Sequence, residues 1–376
     1  MAYKRNEREL RIAVAGEEAL GPLKLLPGTW ANIRPEHRLV EQGIPNLFQG
    51  KKTLIGQGES PFDGRGWNLI ALPFAKDGED RNYRILMNQY NEVLTFNKID
   101  DKVPNRGITE DSPANVADQK IAALDYEQMI AQIAARDISE GIDENGDKLA
   151  GGPGLPIHHE PGFFLHMRDQ RTDGLDISRL ATIPHGNSVT ALGKSKQFSG
   201  PPNIEELSGF PEGVADNIAD AVEGAADPKS YLFPYREFTK NPFKGVLGDG
   251  FPGFSPANAN SLLNLGLPSN VKTTTELPLD TTILSGGISN IPFVVKQADA
   301  AEMRATFWIM ELDEVDSKGR PRLVLAYSQF IFLDFFERFD GKEGKIRWPH
   351  ISINMMEKIE WPEDKAVEKR TLMAAK

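Results

Sequence analysis

The sequence predicts a mainly β protein, an antiparallel up-and-down, calycin-like barrel of about ten strands with long loop and helical insertions. Three observations predict it. Residues alternate between two faces in many segments, as in Val93, Thr95 and Asn97 against Leu94, Phe96 and Lys98. Turn chemistry separates neighbouring segments, as in DQRTDG, DSKGRP and DGKEGK. The strand candidates have one apolar and one mixed face, which suits a closed barrel with a partly polar interior better than a two-sheet sandwich.

Residues 1–25 read as a polar arm ending in a short helix or coil, and 26–376 as one barrel domain with insertions at about 100–150 and 199–270. LLPGTW (25–30) marks entry into the first strand, and GWNLIALPF (66–74) is the next candidate. YRILMNQYNEVLTFNKI (83–99) reads as two strands broken by a turn at Gln89–Glu92. In 117–138, alanine and glutamine favour helix, whereas alternation of Leu124, Tyr126, Gln128 and Ile130 allows a strand; the context favours a strand. LPIHHEPGFFLHMR (155–168) and DISRLATIPHGNSVTALGK (176–194) form the next pair. Residues 199–270, rich in Gly, Pro, Asn and Asp, read as a long surface excursion or lid with one helical stretch near Glu212–Ala226. Its aromatics, among them Tyr231, Tyr235, Phe243 and Phe254, need a surface to pack on. Strand signals return in 273–286, IPFVVKQ (291–297), RATFWIMELDE, PRLVLAYSQFIFLDFFERF and IRWPHISINMMEKIEW.

Composition excludes several functions. The 376 residues carry a formal net charge of −11, which argues against phosphate-neutralising nucleic-acid binding and against docking on anionic membranes. With no cysteine there is no disulfide framework, thiolate ligand or cysteine nucleophile. The N-terminal residues lack the apolar core of a signal peptide, and Gly286–Val295 is too short and broken to span a bilayer. The expectation is a cytoplasmic protein whose partner is a small molecule held inside the barrel.

Histidine is scarce: His37, His158, His159, His166, His185 and His350 are the six. In HHEPGFFLH (158–166), two-residue alternation puts His158, Glu160, Gly162 and Phe164 on one face and His159, Pro161, Phe163 and Leu165 on the other. Only one of the adjacent histidines can point inward, and the more apolar second face would turn His159 inward. The spacing matches no common zinc signature, P-loop, GxGxxG fingerprint or GxSxG elbow. RWPHISI (347–353) joins an aromatic, a cation and a histidine at a strand start. Imidazole is a good iron ligand, and a porphyrin needs apolar walls and a cation for its propionates. Trp348, Met355, Met356, Phe307, Trp308, Phe330 and Phe332 are candidate walls, although each taken singly is more often plain barrel core.

Three separated pieces carry a resemblance. LPGTW (26–30) resembles the entry strand of fatty-acid-binding-like calycin barrels. HHEPGFF (158–164), followed by LATIPHGNSVTALG (180–193), resembles the nitrobindin pattern of His-x-Glu-x-Gly and a second strand with a glycine-containing bend. RWPHISI resembles the last-strand segment that brings nitrobindins their iron-ligating histidine. The chain looks like a much enlarged relative of these heme-binding barrels. The resemblance implies a b-type heme ligated by His350, with His158 nearby and His185 and Gly186 carried toward the cavity. It implies Trp30, Phe164, Gly186, Arg347 and Trp348 as cofactor contacts, and His158, His159 or His185 as the base for peroxidase or peroxynitrite chemistry. Two other readings stand beside it: a heme-free carrier of a fatty acid or other apolar molecule, anchored by Arg84, Arg179 or Arg347, and a heme-free enzyme using Glu160 with a neighbouring histidine.

Overall fold

The computed structural model describes residues 18–32, 66–73, 83–104, 120–139, 150–168, 172–247, 251–315 and 319–359. His37 and most of the N-terminal arm lie outside them. Thirteen strand segments fill ten positions of a closed antiparallel barrel. In chain order they are β1 (Gly28–Ala31), β2 (Gly66–Pro73), β3 (Tyr83–Pro104), β4 (Lys120–Ser139), β5 (Pro156–Met167), β6 (Ile177–Ile183) and β7 (Asn187–Gly193). There follow β8 (Lys196–Ser199), β9 (Val271–Asp280), β10 (Gly287–Asn290), β11 (Asp299–Val315), β12 (Pro321–Glu337) and β13 (Lys345–Ile359).

Three positions are filled by two segments each. Strands β1 and β2 run in the same direction between β3 and β13, β1 against Val93–Phe96 and β2 against Tyr83–Tyr90. They are two lengths of one stave. On the opposite side, β8 pairs with the start of β9, Leu192 of β7 pairs with Asp280, and β10 continues along β7 from Thr190 to Asn187. The remaining neighbours follow chain order, as in an up-and-down barrel.

The excursion after β8 carries α1 (Ile218–Gly224), α2 (Phe233–Lys240) and α3 (Ser261–Gly266) and packs on the outside of the wall. Its Phe251 stacks on Trp67 with ring centroids 5.4 Å apart, and its Phe243 meets Trp67 edge-on. A side chain at Gly209 would touch both Ile351 and Leu69. The outer wall of β2, β11, β12 and β13 is therefore apolar because it is covered. A second apolar cluster, including Trp30, Phe96, Phe164, Phe307 and Leu325, fills the barrel interior.

Several expectations are corrected. Residues 83–99 form no hairpin: β3 is one long strand with a bulge at Gln89/Tyr90. The polar run that resembled a turn has no glycine, and its Tyr90 and Glu92 point into a polar layer of the interior. Within 100–150, expected to be an insertion, β4 is a barrel stave, in agreement with the strand reading of 117–138. Residues 176–194 fold as two strands around a turn at Pro184–Gly186. The segment IPFVVKQ forms a helical turn, α4 (Pro292–Val295), with proline at its first position, which suits a helix start. The short helix or coil expected at the end of the arm is a helical turn, and it is not polar. Glu18–Leu23 is a 3-10 turn that buries Leu20 and Leu23 completely and closes one barrel end, with Gly21, at φ 54°, against the His166 ring.

Candidate functional site

The site lies at the barrel end opposite the 3-10 turn. The start of β5 brings His158, the β6–β7 turn brings His185, β13 brings His350 and β2 brings Asn68. Rings of His158 and His185 lie with centroids 5.8 Å apart. His350 shares the inward face of β13 with Ser352, Asn354 and Met356, while Ile351, Ile353 and Met355 face outward beneath the excursion. Burial, and then the positive charge that His158 and His185 would carry, hold the His350 pKa down to about 3. The ring is neutral at physiological pH. Its Nε2 lies 2.9 Å from Nδ2 of Asn68, which also donates to Ser352 Oγ at 3.3 Å. Asn68 Oδ1 is buried without a partner among the described residues.

Beneath this mouth the interior is crossed by two polar clusters. In the first, Glu92 accepts hydrogen bonds from Tyr327 (2.6 Å), Gln128 (2.7 Å) and Asn354 (2.7 Å), and Tyr327 also meets the Tyr90 hydroxyl at 2.9 Å. Burial raises the Glu92 pKa against the lowering effect of these donors. In the second, Glu160 Oε1 accepts from both Tyr126 and Arg179, and Arg179 also donates to Tyr126 (3.0 Å) and Gln329 (2.6 Å). His158 Nε2 lies 3.2 Å from the other oxygen, Glu160 Oε2. Burial alone would raise the Glu160 pKa, but the Arg179 guanidinium and the His158 hydrogen bond outweigh it and hold it at about 2.

The histidine pair is assigned by this geometry against the apolar-face expectation. His158 points inward, while His159 points outward, half exposed, and meets Glu127 at 3.2 Å. Pro161 does not bulge the strand: pairing with β4 runs in regular register from His158 to Met167. The apolar-face argument failed because the interior at this depth is polar.

Of the cofactor contacts expected from sequence, only Gly186 reaches the mouth, where its turn is packed by Ile291 and Val294 of the segment around α4. Trp30 and Phe164 belong to the filled interior: Trp30 donates to Leu26 O at 2.7 Å, and Phe164 packs edge-on against Phe96 and Phe307. Trp348 is buried against Phe335, with centroids 4.9 Å apart, and stacks on Tyr235 of the excursion. Arg347 lies over the Phe332 ring at 4.0 Å and pairs with Glu302 at 3.0 Å. Trp308 and Met355 pack under the excursion, whereas Phe307 and Met356 lie in the interior cluster.

For a heme, the donor set fits and the expected walls do not. A neutral, inward imidazole is a group that could hold a heme iron, and the unpartnered Asn68 oxygen beside it leaves a polar atom for a bound group to meet. Because Asn68 occupies Nε2, ligation through that nitrogen requires the amide to release it. Apolar side chains for a macrocycle would come from the rim: Ile331 (the cross-strand partner of His350), Ile183, and the exposed Ile291 and Phe293. Among the described residues no group of three or more His, Asp or Glu is arranged to hold a bare metal ion, and no helix is long and apolar enough to cross a membrane.

Sequence reasoning missed Glu92, Tyr327, Gln128, Asn354 and Asn68. A signal existed for Glu92: it stands between Tyr90 and Leu94 on the face that carries Phe96 into the core.

No family model and no curated protein matches the chain. Among solved structures, the chain is similar to the crystal structure of Rv2717c from M. tuberculosis at 14% identity, covering 80% of this chain and 94% of that one, with a TM-score of 0.28. A likeness that weak carries no argument about the site.

Proposed function

We propose that this protein is a heme-binding barrel, nitrobindin-like in its use of a last-strand histidine, in which His350 would hold the iron and His158 lies at the same mouth. The observation that carries the reading is the inward, neutral His350 ring at the same barrel end as His158 and His185. A bound heme would supply an iron able to take a diatomic gas, peroxynitrite or peroxide. The chain's own contribution is to hold the His350 ring in place through Asn68 until a heme would take Nε2, to hold a proton at His158, and to back the site with a filled interior that limits water to the mouth. A carrier of fatty acids draws less support. The Arg179 charge is already met by Glu160, Arg84 pairs with Asp137, and Arg347 pairs with Glu302 away from the mouth.

Titration of the purified protein with hemin tests the reading. The expected result is a Soret band saturating at one equivalent, lost in His350→Ala and retained in His159→Ala. A folded protein that takes up no hemin, or a His350→Ala variant with an unchanged spectrum, would overturn it.

A further inference from the structure

We propose that Glu160 is a positioning residue that fixes the tautomer of His158, so that Nε2 carries the proton and Nδ1 is a bare base for a protic ligand in the mouth. The inference deepens the proposed function, since it takes the mouth as the reactive site, but it does not depend on iron.

The two oxygens of Glu160 have different tasks. Oε1 is occupied by two donors, the Tyr126 hydroxyl and Arg179 Nη2. Oε2 is left for His158 Nε2 at 3.2 Å. Only 2% of the Glu160 side chain is exposed, and the Arg179 side chain is 3% exposed, so the carboxylate cannot turn without leaving the guanidinium unpaired in the interior. Arg179 is itself fixed by Tyr126 and Gln329. An ionised carboxylate accepts hydrogen bonds and donates none. The contact therefore requires hydrogen on Nε2, and a neutral ring then has its lone pair at Nδ1. The His158 side chain is 22% exposed, which leaves it open to a small molecule entering the mouth.

In the step this permits, the O–H bond of a peroxide, acid or water breaks, its electron pair stays on oxygen, and the proton forms the new bond at Nδ1. The Nε2 proton stays in place. Glu160 remains ionised beside Arg179 and offsets the imidazolium charge, as the orienting carboxylate does in hydrolase triads.

The test is the tautomer itself, read in the full-length, heme-free protein with 15N-labelled histidine. The His158 signals are assigned by their loss in His158→Gln. In the wild type at a pH where the ring is neutral, Nε2 is expected to be protonated and Nδ1 bare. In Glu160→Gln, the amide oxygen must stay beneath Tyr126 and Arg179, so the amide nitrogen faces His158. The ring is then forced to accept at Nε2, and the dominant tautomer inverts to Nδ1–H. A wild-type ring protonated at Nδ1, or a folded Glu160→Gln protein with the ring unchanged, would overturn the proposal. If Glu160→Gln does not fold, Glu160→Gln combined with Arg179→Met removes the uncompensated charge together with the donor that orients the amide; it is expected to lose the wild-type preference for Nε2–H, and a folded double variant that keeps this preference would overturn the proposal. A protein with the expected tautomers that binds no hemin would end the heme reading and leave this one standing.

Discussion

Tyr327 donates its hydroxyl to Glu92 at 2.6 Å in the middle of the barrel, where both side chains are shielded from water. Among the described residues no cation touches this carboxylate; three neutral donors hold it. Its raised pKa means that stability from this group is fully present below the unfolded value of 4.5 and is lost as pH rises through the folded value.

Glu92→Gln is accordingly expected to fold and to gain stability relative to wild type as pH rises above 4.5. Its amide nitrogen can replace Oε1 if the Gln128 amide turns over. Glu92→Ala leaves three buried donors unmatched and is expected to cost about 3–5 kcal/mol. Urea denaturation of both variants at pH 5 and pH 8 provides the check. A Glu92→Gln curve that tracks wild type at both values would mean that burial does not disfavour the charge.

His350 has the opposite sign. Its folded pKa of about 3 lies below the ordinary 6.5, so the unfolded chain binds the proton first. Stability from this group is present above pH 6.5 and lost as pH falls toward 3, by roughly 2 kcal/mol after allowance for partial exposure. Glu160, at about 2, is lost only below 4.5. His350→Gln keeps a partner for Asn68 and cannot titrate. Thermal melts between pH 6.5 and 4.5 are expected to fall less steeply in this variant than in wild type, and parallel slopes would contradict the assignment.

Trp67 ties the excursion to the wall. Its ring is fully buried among Phe243, Phe251 and Phe254. Trp67→Ala is expected to cost about 3–5 kcal/mol through the cavity it leaves. It should also make residues 200–270 the first site of limited proteolysis. Trp67→Phe should cost far less, because the indole N–H has no partner among the described residues. Equal proteolysis of all three proteins would show that the excursion is held elsewhere.

The barrel was legible because alternation and hairpin glycines are local signals, and β11, β12 and β13 emerge close to where the pattern puts them. The orientation of the strands was not. Ile351, Ile353 and Met355 look like an inner face, yet they lie outside, because the excursion supplies a second apolar surface more than 80 residues away in the chain. The same inversion hides Glu92, Asn354 and Gln128, whose inward position depends on partners from three different strands. The three histidines could be named individually from sequence. Which of the adjacent pair faces inward required the register of β5 against β4, and that Asn68 completes the group required the register of β2 against β13.

Barrel closure makes the last prediction. The seam between β7 and β9 is narrow: Leu192 pairs with Asp280, and a Cβ built on Gly193 would lie 1.7 Å from the Pro278 carbonyl oxygen. That neighbour is backbone, so no side-chain rotation can relieve the contact. Only glycine lets the two strands approach this closely. Gly193→Ala is expected to destabilise by about 2–4 kcal/mol, because the seam must part. Hydrogen exchange should quicken at Leu192 and Asp280 before it does at the β12–β13 pairing. Gly287 on β10, which continues the β9 stave along β7 and where a Cβ would meet open space, is the control: Gly287→Ala is expected to change stability by less than about 0.5 kcal/mol. If both variants leave exchange at the seam unchanged, the closure does not depend on that glycine.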